Sequence, residues 1–108
     1  SFPDLISYVD ADERYRFVNR GYQERFGISA SEIEGRDMRE ILGDEAYAMV
    51  APHTHRALGG ERVTFTATLP YRLGAPRDIE ARLIPDLAQD GAVRGVFALV
   101  RDVGARLR

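Results

Sequence analysis

Cysteine is absent from this chain of 108 residues, which excludes disulfides, thiolate nucleophiles and cysteine-ligated metals. Lysine is absent as well: all 15 basic side chains are arginines, scattered along the chain and not gathered in a patch. Charge of one sign is equally lacking. With 17 acidic residues the net charge is −2, so the chain offers nucleic acid no electrostatic footprint. No apolar run approaches the ~20 residues that span a bilayer, and no signal-peptide core opens the chain. The segment is therefore expected to touch no membrane and to lie in the cytoplasm. Serine-nucleophile motifs, a Gly-rich phosphate loop and metal-ligand spacings are all missing from the sequence, so no catalytic residue and no metal site are assigned.

What remains is the composition of an ordinary globular domain, 44% hydrophobic and 30% charged. The length suits one domain over residues 1–108, burying roughly two-thirds of its unfolded surface without staples. Structured-looking sequence reaches both ends, which suggests a module of a longer protein.

Leu5-Ile6-Ser7-Tyr8-Val9 and Tyr15-Arg16-Phe17-Val18 read as strands joined by the polar turn Asp10–Arg14. Asn19 stands where a helix N-cap is wanted, before Arg20–Phe26, and Gly27 is a stop. Ser29 or Ser31 caps a second short helix that ends at Gly35, and no element is assigned between Gly35 and Asp44. Asp44 is expected to cap a longer helix to Leu58, terminated by Gly59-Gly60, with Ala46, Val50, His53 and Ala57 on its apolar stripe. Pro52 should kink or divide that helix.

From Val63 the period becomes two. Val63, Phe65, Ala67 and Leu69 alternate with threonines, and Ile79, Ala81 and Leu83 alternate with charged residues in a strand from Arg77 that Pro85 should end. Asp90-Gly91 is a turn. Arg94–Arg101 is apolar on both faces, which places it at the centre of a sheet. Strands, then short helices, then three strands make an α+β domain.

Four local phrases carry a resemblance to a known family. They are Ile6-Ser7-Tyr8-Val9-Asp10 through Phe17-Val18-Asn19; Phe26-Gly27 followed by Ser31-Glu32-Ile33-Glu34-Gly35-Arg36; Ala57-Leu58-Gly59-Gly60-Glu61; and Val100-Arg101-Asp102-Val103. In this order and spacing they resemble the PAS sensory domain over essentially the whole chain. The resemblance implies a five-stranded antiparallel sheet of spatial order 2-1-5-4-3, with short helices across one face enclosing a small-molecule pocket. It also implies a larger signalling protein, with Asp102 relaying the state of the domain to a following output segment. The family often has threonine where Gly104 stands here.

On that frame the candidate ligand wall is Phe65, Ala67, Leu69, Ile79, Ala81, Leu83, Ala98 and Val100 from the strands, with Val96 beside them. Phe26, Ile41, Val50 and His53 are added from the helical region. Three alanines among large residues leave room for an apolar ligand, and equally for close-packed helices. A haem ligand is not expected from one inward histidine: His53 should sit at a pocket rim and His55 in solvent. Cysteinyl-flavin chemistry is excluded, since Met38 follows Gly35-Arg36-Asp37 where the flavin-binding branch has its cysteine. The cofactor is left unknown. Phe97 and Leu99, with Tyr8 and Ile6 beside them, form a candidate interface on the other sheet face, for a homodimer or a flanking helix.

The reading that follows is a sensory or regulatory module of a bacterial signalling protein, such as a histidine kinase or a cyclic-dinucleotide-synthesising enzyme. It binds a small molecule and relays its state through the last strand. The alternative is a ligand-free dimerisation scaffold, and a distant third is a small α+β enzyme.

Overall fold

The computed structural model describes residues 4–104. The hairpin forms as its alternation predicts: β1 (Leu5–Asp10) and β2 (Tyr15–Val18) pair antiparallel, with Leu5, Ser7 and Val9 buried on one face. Asp10 organises the turn by accepting from the backbone N–H groups of Asp12 and Arg14. Glu13 takes φ +62°, a left-handed conformation unusual for a side chain other than glycine.

Helix α1 (Arg20–Phe26) starts after Asn19 and ends at Gly27, which adopts φ +71°. The Asn19 side chain does not cap it. Its Oδ1 accepts from Ile6 N and its Nδ2 donates to Asp4 O, so the residue ties the helix entry to β1. Helix α2 (Ala30–Ile33) is a single turn closed by a capping box, in which Ser29 Oγ accepts from Glu32 N and the Glu32 carboxylate accepts from Ser29 N.

Helix α3 (Met38–Leu42) fills the interval to which the sequence reading assigned nothing. Asp37 caps it through Arg39 N, and Met38, Ile41 and Leu42 are buried at helical spacing. Five residues give too short a periodic run to stand out, and packing holds this turn.

Helix α4 (Asp44–Leu58) runs unbroken through Pro52, which lies on its exposed side. Asp44 is the first helical residue and not the cap. Gly43 at φ +90° holds that position, and Asp44 Oδ1 accepts from Arg39 Nε instead. The buried stripe is Ala46, Val50, Ala51, Thr54 and Ala57. Thr54 therefore takes the central place that the apolar pattern gave to His53, which is half-buried on the flank.

Strands β3 (Val63–Leu69), β4 (Arg77–Leu87) and β5 (Val93–Asp102) complete an antiparallel sheet of order β2-β1-β5-β4-β3. Strand β4 passes through Pro85 where an end was expected. Leu83 is its last residue with a β3 partner, so Pro85 lies on a stretch with only β5 beside it, where a missing N–H is tolerated. Strand β5 is central between β1 and β4, as its two apolar faces require. Helix α4 crosses β3, β4 and β5, and α1 packs on β1, leaving the opposite face of the sheet without helices among the described residues.

Candidate functional site

Between the sheet and the helices lies a cavity of about 50 Å³. Alternation along β3, β4 and β5 aims Phe65, Leu69, Ile79, Ala81, Leu83, Ala98 and Val100 into it, and α4 adds Val50. These are eight of the twelve residues expected to bind ligand. Val96 lines it too.

The other four lie elsewhere. Phe26 and Ile41 line a separate open groove of about 160 Å³ with Ile28, Arg36 and Arg72. Both are core residues of α1 and α3, helices that present Tyr22, Met38 and Leu42 to the cavity instead. Ala67 lines a surface groove with Thr66, Thr68 and Val103. His53 stays outside the cavity and stacks on Phe65, with ring centroids 3.9 Å apart and planes 5° from parallel. Its Nδ1 is buried without a hydrogen-bond partner. His55 is over half exposed and meets Glu13 Oε2 at 3.0 Å.

Sequence reasoning missed the polar lining. Ser7, Tyr15, Tyr22, Thr54 and Tyr71 all border the cavity. Ser7, Tyr15 and Tyr22 are at most 4% exposed, and the Tyr22 hydroxyl donates to Ser7 Oγ at 3.1 Å. Burial pushes the Tyr15 hydroxyl well above its ordinary pKa, and its hydrogen bond to Tyr22 adds to the effect. Burial also raises Tyr22. All three groups are therefore neutral donors and acceptors at any physiological pH. The only signal for them was the parity of Ser7 with Leu5 and Val9, because the tyrosines come from β2, α1 and the β3–β4 connection.

The hairpin holds the helical layer through Glu13. Its carboxylate accepts from the Tyr47 hydroxyl on α4, and its backbone carbonyl accepts from Met38 N on α3. The left-handed turn residue thus clamps two helices to the first two strands.

At the other end of the cavity, Tyr71 carries the Arg25 guanidinium 4.6 Å above its ring. Arg25 Nη1 donates to Leu73 O, and burial followed by the nearby Arg77 cation lowers the Arg25 pKa. Arg77 Nη1 lies 3.5 Å from Asp102 Oδ2, while Asp102 Oδ1 accepts from Gly104 N. Asp102 therefore joins the start of β4 to the segment leaving β5.

The outer sheet face presents an apolar row across four strands. The register sets Phe17 opposite Tyr8, Tyr8 opposite Phe97, and Phe97 opposite Ile84, with Ile6 opposite Leu99 alongside. Phe17 is 54% and Phe97 44% exposed, whereas Leu99 is half-buried. Tyr8 packs edge-on against Phe97 at 4.8 Å and donates to Asp86 Oδ2 at 2.6 Å. Gly95 is required there, because a Cβ would come within 2.3 Å of Val9 O and 2.5 Å of the Tyr8 hydroxyl oxygen.

A five-stranded antiparallel sheet of this order, roofed by short helices over a small internal cavity, defines an α+β domain with its helices on one face of the sheet. The family model described as the PAS fold matches residues 1–108, and the chain belongs to that family. A PAS domain from Colwellia psychrerythraea superimposes with TM-score 0.78 at 17% identity, covering 95% of this chain and 88% of that one. A domain of an HTR-like protein from Haloarcula marismortui gives 0.76 at 18% identity, covering 94% and 98%. A sensory box sensor histidine kinase from Vibrio cholerae gives 0.74 at 19% identity, covering 94% and 81%. No curated protein matches the chain significantly. No helix among the described residues is long and apolar enough to cross a membrane.

Proposed function

We propose that the chain is the sensory module of a bacterial signal-transduction protein, binding a small molecule between sheet and helices and passing its state through β5 and Asp102. The observation that carries this reading is the internal cavity, apolar on most sides and bordered by neutral buried hydroxyls. A packed core has no reason to keep both the void and the polar groups. The kinase likeness of one structural neighbour supports an output domain such as a histidine kinase, and a cyclic-dinucleotide synthase fits the same role. The module works in the cytoplasm. A ligand biases it only by binding one of two arrangements more tightly than the other. Tyr71, Arg25, Arg77 and Asp102 form a contiguous set between cavity and chain exit for such a bias to act on.

Native mass spectrometry under gentle and denaturing conditions tests this. A small molecule retained in the first and released in the second supports sensing. A protein that carries none after purification from its own cells favours a second reading, a ligand-free dimerisation scaffold. The row of exposed Phe17 and Phe97 with half-buried Tyr8 and Ile84 is the observation behind that alternative, since contiguous apolar surface of this kind marks interfaces.

A further inference from the structure

The hydroxyl groups at the cavity form a directed chain. The Tyr22 hydroxyl donates to Ser7 Oγ at 3.1 Å, with the Tyr15 hydroxyl bonded to Tyr22 behind it. Each hydroxyl owns one proton, so that of Tyr22 is already committed to Ser7. The Ser7 proton remains, and it meets no acceptor among the described residues. Ser7 is 1% exposed and borders the cavity, so water outside the protein cannot take that proton.

Among the described residues no aspartate, glutamate, arginine or histidine lines the cavity. A charged ligand would lose its hydration there without a counter-charge, which the interior does not tolerate. Volume sets the other limit: 50 Å³ is a third of the roughly 150 Å³ that accommodates benzene in an engineered apolar cavity. A handful of heavy atoms fills the space, and a ring needs it widened.

We propose that this cavity takes a small uncharged molecule carrying one hydrogen-bond acceptor, a carbonyl or its equivalent, which the Ser7 hydroxyl anchors from the free end of the Ser7–Tyr22–Tyr15 chain. The proposal rests on the reading of the cavity as a ligand site, and it adds the chemical class and the anchoring atom. The tyrosines orient Ser7 by occupying its lone pair, so its proton turns toward the ligand.

Three probes of the same heavy-atom framework separate the possibilities: acetone, isobutene and acetate. Titrations are followed by NMR on the methyl groups of Val50, Leu69, Ala81 and Val100. Acetone should shift these methyls saturably and acetate should not. Ser7→Ala should weaken acetone binding about threefold to tenfold, the worth of one neutral hydrogen bond, and change isobutene binding by less than about twofold. Comparing one probe between two proteins cancels the cost of dehydrating the carbonyl. Tyr22→Phe leaves Ser7 in place but unoriented, and should weaken acetone selectively by a smaller factor. It also serves as the test if Ser7→Ala does not fold. Equal responses of acetone and isobutene to these substitutions, or saturable acetate binding, overturn the proposal while the cavity stands as a ligand site. If neither neutral probe shifts the methyls of the wild type, the cavity reading itself fails.

Discussion

On the inner face of the sheet Tyr15 and Tyr22 are almost wholly buried and keep their hydroxyls to each other and to Ser7. On the outer face Tyr8 lays its ring on Phe97 and gives its hydroxyl to a carboxylate, Asp86. The same residue type thus ends in a neutral network on one side and an ion-assisted bond at the solvent edge on the other. The inner arrangement suits recognition of an uncharged guest, because nothing there has to be neutralised. The outer arrangement suits a surface that is covered by another apolar face, with charges at its margin: Asp10 with Arg16 and Asp86 with Arg94.

The largest expected effect breaks the boundary between the two faces. Gly95→Ala forces a Cβ against the Val9 carbonyl and the Tyr8 ring, neither of which can withdraw while β1 pairs with β5. Overpacking of this kind should cost about 3 kcal/mol, near the upper end of the usual range, in denaturant unfolding. A loss below about 1 kcal/mol would mean that the β1–β5 register is wrong.

Next comes the volume of the inner face. Ala81→Trp puts an indole into a 50 Å³ space and should destabilise by about 1–3 kcal/mol, whereas Ala81→Val should stay within about 1 kcal/mol of wild type and abolish acetone binding. Two variants equal in stability would show a larger or more compliant cavity than the structure describes.

Tyr22→Phe removes the middle of the hydroxyl chain and leaves Tyr15 and Ser7 each short of a partner. The buried, unsatisfied groups should cost about 1–3 kcal/mol in thermal or denaturant unfolding. An unchanged midpoint would argue that water already serves these groups.

On the outer face, Phe97→Glu with Leu99→Arg should leave circular dichroism unaltered and shift sedimentation toward monomer. Each of these side chains contributes roughly 1.5–3 kcal/mol if an interface buries it fully. A wild type that is monomeric at high concentration removes the dimer, and an unfolded double variant contradicts the assignment of the faces.

The smallest effect is a pH response. Burial, then the hydrogen bond to Asp86, pushes the Tyr8 hydroxyl from 10.0 up to about 12. A raised folded-state value means that the native protein holds this proton longer than the unfolded chain. The associated stability is complete below pH 10 and declines as pH rises toward 12. Tyr15 and Tyr22 shift in the same direction. Tyr8→Phe should flatten the alkaline decline slightly, and spectrophotometric titration should show one fewer late-ionising tyrosine. A slope unchanged by Tyr8→Phe would leave the decline to the inner tyrosines alone.

The amino-acid sequence by itself determined the strands of this domain, since a period of two leaves no ambiguity in Val63–Leu69 or Arg77–Leu83 and a two-faced apolar run has one place to go. It also determined the stop at Gly27 and narrowed the next cap to Ser29 or Ser31, of which the structure uses Ser29. Strand parity alone carried most of the cavity wall, because inward and outward alternate rigidly along β3, β4 and β5. What only the tertiary structure decided is whatever depends on elements distant in the chain. Helix α3 has too few residues for a periodic signal and exists by packing. A helical stripe is wide enough that Thr54 could be the buried residue that borders the cavity, with His53 half-buried beside it on Phe65. Phe26 and Ile41 are as apolar as the residues that line the cavity, and only the tertiary packing of α1 and α3 decides that Tyr22, Met38 and Leu42 reach it and they do not. The hydroxyl chain joins β1, β2 and α1 at distances of 7, 8 and 15 residues along the sequence, and no local pattern records that three neutral donors meet in one place.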